Sequence, residues 1–169
     1  MTQIKVFRMY DDAALPSRAT EQSACYDIQA CIVDGMRIDT YGSYNEYLSR
    51  PVSGNKFDVY PGERALIPTG LVFDIPSGFS LRIHPRSGLS LKKGITLANC
   101  EGVVDSDYTH QTFVSMINNS DVTFTLKHGD RIAQVELVPV LHVQFEETNQ
   151  TVMPKTDRAG GFGSTGLNT

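Results

Sequence analysis

Residues 79–88 read FSLRIHPRSG, and this stretch decides the fold class. Phe79, Leu81 and Ile83 alternate with Ser80, Arg82 and His84, the period of a strand with one buried face. Pro85, Ser87 and Gly88 then supply turn chemistry. Outward from this unit the pattern repeats. Val122, Phe124 and Leu126 alternate with Thr123, Thr125 and Lys127, and turn signals fall at 61–62 (PG), 76–78 (PSG), 93–94 (KG), 118–119 (NN) and 128–130 (HGD). Residues 132–145, IAQVELVPVLHVQF, are rich in β-branched side chains and predict a strand; Pro139 has no N–H for a ladder and marks a bulge or an edge. Short strands with such punctuation predict an all-β sandwich or barrel.

Two segments break the rhythm. Residues 35–56, GMRIDTYGSYNEYLSRPVSGNK, are polar and tyrosine-rich and read as a surface insertion with a helical turn or two around 43–49. Residues 146–169 lose the alternation and collect Glu, Asn, Thr, Lys and Asp, as expected of an arm without its own core. The reading is one domain over 1–145 followed by a C-terminal arm. A chain of 169 residues can bury about 70% of its unfolded surface.

Composition narrows the function classes. A net charge of -4 and a pI near 5.5 argue against stable binding to nucleic acid or anionic membranes, while leaving room for a local arginine cluster. No apolar run approaches the ~18 residues of a membrane span. Cys25, Cys31 and Cys100 are odd in number and lack C-x-x-C spacing, and no apolar segment near the start suits a signal peptide, so a cytoplasmic location is expected. His84, His110, His128 and His142 are scattered and give no spacing for structural zinc.

Four polar segments could hold chemistry, and each has a plainer explanation. Arg86, Ser87 and Gly88 offer a guanidinium, a hydroxyl and flexible backbone to phosphate oxygens, or form an ordinary exposed turn. Asp105 and Asp107, preceded by Asn99, Gly102, Val103 and Val104, offer a base for water, or an Asx turn between strands. Gly129, Asp130, Arg131 and Gln134 place polar groups at a strand start, or simply make a hairpin turn. Arg158 and the glycines around Phe162 are either a linker or an arm that closes over something flat; exposing Phe162 gains a linker nothing. The run 161–166, GFGSTG, fits the G-x-G-x-x-G of dinucleotide-binding proteins, but only three residues follow, too few for the helix that this fingerprint needs.

The order of these segments resembles the five motifs of the trimeric deoxyuridine triphosphatase (dUTPase) family. The matching stretches are SACYDIQA at 23–30, PRSGLSLKKGI at 85–95, NCEGVVDSDY at 99–108, GDRIAQ at 129–134 and RAGGFGSTG at 158–166; YPGERALIPTG at 60–70 is also similar to what precedes the second motif. The resemblance implies a jelly-roll β-barrel subunit, a homotrimer, and hydrolysis of dUTP to dUMP and pyrophosphate with Mg²⁺ held mainly by the triphosphate. By resemblance, Asp105 activates the water and Tyr108 crowds out a 2′-hydroxyl. Asn99 reads uracil with backbone groups of a hairpin over 99–113, which includes Gly102, Val103, Val104 and Phe113. Arg86, Ser87 and Gly88 bind the phosphates, Ser87 near the scissile linkage, and Gln134 adds a phosphate-side contact. Asp27 reaches the metal through water only. Phe162 stacks on the base, while Arg158, Gly163 and Ser164 close over the phosphates of a neighbouring subunit's site.

The chain also departs from the family pattern. Cys25 and His110 stand where glycines are usual, Arg158 is one residue too close to Phe162, and insertion 35–56 has no counterpart in compact members, leaving it as the segment a protein partner would engage. Two rival readings remain at this level. A deaminase of dCTP on the same fold needs a glutamate ten residues beyond the aspartate, where this chain has Ser115. A nucleotide-dependent protein-binding trimer would need no turnover, although Asp105, Tyr108 and Phe162 are all present.

Overall fold

A computed structural model describes residues 3–157, and its regular secondary structure is β apart from one short helix. The central strand is β6 (Arg64–Asp74), RALIPTGLVFD, whose apolar middle is buried on both faces. Such a strand needs neighbours on each side, and it has three. β1 (Lys5–Arg8) and β3 (Arg37–Tyr41) pair with its two ends, and β10 (Thr112–Asn118) runs antiparallel along most of its length. β4 (Tyr47–Pro51) and β8 (Ile95–Leu97) extend this six-stranded sheet outward. A second sheet orders β2 (Tyr26–Gln29), β12 (Arg131–Pro139), β7 (Phe79–Pro85) and β9 (Gly102–Val104). β5 (Lys56–Val59) and β11 (Phe124–Lys127) form a separate pair. Ile28, Ile32, Ile67, Leu71, Ile83 and Val135 belong to a single core contributed by both large sheets. Removing each such side chain from water stabilises the fold by ~1.5–3 kcal/mol.

The expected strand at 79–83 is present, the one expected over 122–127 starts only at Phe124 and leaves Val122 exposed, and three further local expectations need correction. Residues 35–56 contain no helical turn: β3 and β4 pair in register from Arg37 with Pro51 to Tyr41 with Tyr47. The inner side of this hairpin is sealed, with Ile38, Thr40 and Val52 all buried. Alternation of small apolar side chains among tyrosines is a strand signal that the polar composition hides. Arg50 pins the hairpin to the body of the sheet. It pairs at 2.6 Å with the buried Glu63, donates to Asp58 O, and lies over the rings of Phe57 and Tyr60.

Residues 132–145 do not form one strand either. β12 ends at Pro139, opposite Phe79; one last bond follows, from the Val140 N–H to Gly78 O at 2.8 Å, and Leu141, Val143 and Phe145 are exposed. Lastly, the turn expected at Arg86 opens the single helix among the described residues, α1 (Ser87–Lys93). Gly94 ends it in a left-handed conformation (φ 68°), donating its N–H to Leu89 O. A side chain at Gly94 would meet Ser120 at 2.9 Å, so this position needs glycine for conformation and for space.

Register in the second sheet decides where the polar groups go. Gln134 lies between Asp27 on one side and His84 on the other, and Glu136 lies opposite Arg82. Residues directly opposite share a face, and so do residues two apart along a strand. Asp27, Gln134, His84, Glu136 and Arg82 therefore stand on one face, while Ile83 and Val135 point into the core.

Candidate active site

Three of the motif segments converge at one end of that polar face. Asp27 is buried, yet both its oxygens are engaged: Oδ1 accepts from Arg86 Nε at 3.1 Å and Oδ2 from Arg131 Nη1 at 3.0 Å. Arg86 also donates through Nη1 to Arg131 O at 3.0 Å, and Gln134 Nε2 donates to Pro85 O at 3.1 Å. One carboxylate thus orients two guanidiniums whose outer edges stay partly exposed. This pairing makes Arg131 a full member of the cluster. Ser87 and Gly88 follow directly on the surface, at the first turn of α1, and a side chain at Gly88 would meet nothing within 4 Å. Backbone N–H groups of a first helical turn have no acceptors within the helix.

The other half of the site is a pocket of about 310 Å³. Asn99, Gly102, Val103, Val104, Asp105, Tyr108 and Phe113, the residues that the family resemblance groups together, all line it. Their arrangement is not a paired hairpin, however. β9 pairs with β7 in the second sheet, and β10 pairs with β6 and β8 in the first, so the pocket opens between the sheets. A register shift between Thr112 and Phe113 breaks the ladder at the pocket's edge. Gly102 forms part of the floor: a Cβ there would lie 3.0 Å from that of Ile83. Tyr108 donates its hydroxyl hydrogen to Gln111 O at 2.8 Å, and its N–H bonds Asp105 O at 3.1 Å. His110 packs edge-on against the Tyr108 ring, 5.8 Å between centroids, so the residue in place of a usual glycine steadies the aromatic. Asp105 is exposed on the pocket wall and makes no ion pair among the described residues.

Four further lining residues were not singled out as contacts from the sequence: Leu66, Ile83, Thr112 and Ser115. Thr112 Oγ1 is buried without a hydrogen-bond partner, an unusual state for a hydroxyl in a pocket wall. Burial alternates strictly along residues 112–118 and sets Phe113 and Ser115 on one face, but TFVSMIN carries no apolar/polar alternation that would have shown it. Ser115 places a hydroxyl at the position where a deaminase would need its glutamate. The two halves do not share a cavity within one chain: Arg86 and Arg131 line a different depression, with Lys127 and Asp130. Arg158, Phe162, Gly163 and Ser164 lie outside the described residues.

A two-sheet β subunit with a cationic cluster at one edge and a narrow, aromatic-walled pocket at another is suited to a nucleotide phosphate ligand. Comparison with known proteins defines the group. A sequence model of the dUTPase family matches residues 52–166. The deoxyuridine 5′-triphosphate nucleotidohydrolase of Wolbachia sp. subsp. Brugia malayi is 40% identical over 165 residues, covering 97% of this chain and 92% of that protein. Among solved structures, a Staphylococcus bacteriophage 80alpha dUTPase with dUpNHpp shares the fold at a TM-score of 0.76 and 19% identity, covering 99% of this chain and 100% of that one. A dUTPase from phage phi11 of S. aureus, studied for its coordination of a structural Mg(II) ion, gives 0.68 at 20% identity over 88% of this chain and 98% of that one. The chain belongs to the dUTPase family.

Proposed function

We propose that this chain hydrolyses dUTP to dUMP and pyrophosphate by water attack on the α-phosphorus, limiting uracil in DNA and supplying dUMP for dTMP synthesis. The observation that carries this reading is the pairing of a pocket walled by Asp105, Tyr108 and Phe113 with a cationic edge built from Arg86 and Arg131 on Asp27. Asp105 takes the proton of the attacking water, which needs an accessible carboxylate within reach of solvent. Tyr108, held by Gln111 O and the ring of His110, lies against the sugar and leaves no room for a 2′-hydroxyl. Asn99 and the backbone of 102–104 read the uracil edge, and the close contact of Gly102 with Ile83 keeps the floor too tight for thymine's methyl. Arg86, Ser87, Gly88 and Gln134 hold the phosphates; a preoriented guanidinium stabilises charge developing on the leaving pyrophosphate.

Family membership implies a homotrimer, and in it the pocket of one subunit would be completed by the cationic edge of another, which fits their lying in separate depressions of one chain. The domain spans 1–145, and the arm of 146–169 brings Arg158, Phe162, Gly163 and Ser164 over a neighbour's site. The donor set suits a hydrated Mg²⁺ carried by the triphosphate. Both oxygens of Asp27 already accept from arginines, so this carboxylate reaches a metal through water and not directly. The ion neutralises phosphate charge when bound; orientation belongs to the arginines.

The test is pyrophosphate release from dUTP, dTTP, dCTP and UTP at equal concentration. Turnover of dUTP alone is expected, and comparable rates on dCTP or UTP overturn the reading. Asp105→Asn should abolish turnover and retain nucleotide binding.

A further inference from the structure

The polar face of the second sheet continues past the cationic edge to a group the hydrolytic reading does not use. Cys25, His84 and Glu136 come from three neighbouring strands or their immediate ends, and their ligating atoms all lie within 4.8 Å of one another. His84 Nε2 is 2.9 Å from Glu136 Oε1. On the opposite side of the ring, His84 Nδ1 lies 3.6 Å from Glu101 Oε1. Arg82, on the same face, is engaged elsewhere: Nη1 pairs with the other oxygen of Glu101 at 3.1 Å and Nε donates to Ser80 Oγ.

We propose that Cys25, His84 and Glu136 form a site for a borderline transition-metal ion of the Zn²⁺ class. A sulfur, an imidazole nitrogen and a carboxylate oxygen are the mixed donors Zn²⁺ takes, whereas Mg²⁺ prefers oxygen alone. Ligands in a tetrahedral shell lie roughly 3.5 Å apart, so side-chain shifts of about 1 Å complete the geometry. Three protein donors leave the fourth position to water. Glu101, 3.6 Å from the other ring nitrogen, stands just outside hydrogen-bond distance and takes the outer role usual for a ligating histidine once it closes by about 0.5 Å. Register on paired strands holds His84 and Glu136 together, with Cys25 directly before β2, so the backbone needs no rearrangement. The site is separate from the triphosphate-bound Mg²⁺ and does not depend on the dUTP reading.

The experiment uses the full chain without a histidine tag, titrated with Co²⁺ as a spectroscopic stand-in for Zn²⁺. One Co²⁺ per chain is expected, with a thiolate-to-cobalt absorption band in the near ultraviolet. Cys25→Ser should abolish the band, Cys100→Ser should keep it, and Glu101→Gln should weaken binding about 10–100-fold. Absence of the band from the parent protein, or its survival in Cys25→Ser, overturns the proposal. A second measurement needs no variant: Zn²⁺, but not Mg²⁺, should protect Cys25 from alkylation, read by peptide mass spectrometry. Equal labelling with and without Zn²⁺ overturns it equally.

Discussion

Replacing Asp27 by Asn tests the cationic edge directly. The carboxylate accepts one hydrogen bond from each of two arginines, and its own side chain is 10% exposed. Hydrogen bonds to charged groups contribute about 1.5–3 kcal/mol each. Asn keeps one neutral acceptor and turns its NH₂ toward the other guanidinium, so one bond is lost and the other weakened. Arg86 and Arg131 are 27% and 49% exposed, and water recovers part of the loss. The net is about 2 kcal/mol of stability, or a fall in Tm of roughly 4–8 °C for a domain of this size. Function should suffer more. An Arg86 released from Asp27 and displaced by ~1 Å costs on the order of 100-fold in kcat/KM for a positioned phosphate contact. Thermal unfolding and steady-state pyrophosphate release from dUTP measure the two effects. Rescue of the rate by excess Mg²⁺ would show that Asp27 acts on the metal; a variant with parental Tm and kcat/KM would refute the positioning role altogether.

Other expectations concern the walls of the fold and the pocket. Asn118 is completely buried; it donates to Val59 O and Val122 O and accepts from both the N–H and the hydroxyl of Ser120. Asn118→Ala should therefore lower the unfolding free energy by about 3–4 kcal/mol in urea denaturation, and a change within experimental error would mean that water replaces these bonds. Gly102→Ala places a methyl against Ile83 and should raise the KM for dUTP while destabilising by ~1–3 kcal/mol; an unchanged KM would remove Gly102 from the base pocket. Cys31 is 1% exposed, and burial, followed by the charge of Asp12, pushes its thiol above the ordinary range. Native alkylation should label exposed Cys100 first and Cys31 last, and early labelling of Cys31 would mean that the segment after β2 opens readily.

The hairpin at 37–51 shows why polar composition misleads. Tyrosines and charges cover its outer side, but Ile38, Thr40 and Val52 are sealed against the body, and the ion pair of Arg50 with Glu63 spans segments no local window compares. Strand periods and turn residues, by contrast, were legible wherever one face is buried, because alternation is imposed by the pleat itself. Motif order likewise named the pocket residues from Asn99 to Phe113. It did not reveal that their two limbs belong to different sheets.

By itself, then, the sequence determined an all-β fold, its family, and the residues that line the pocket, since short-range pattern and ordered motifs are written along the chain. Only the tertiary structure decided what those residues touch. Asp27 meets Arg131 across 104 positions, and His84 meets Glu136 across 52. Four histidines scattered in sequence gave no metal spacing, yet strand pairing sets one of them beside a thiol and two carboxylates. Register sets such juxtapositions: a shift of one residue in β12 would turn Gln134 and Glu136 into the core and dissolve both the cationic edge and the Cys25 site.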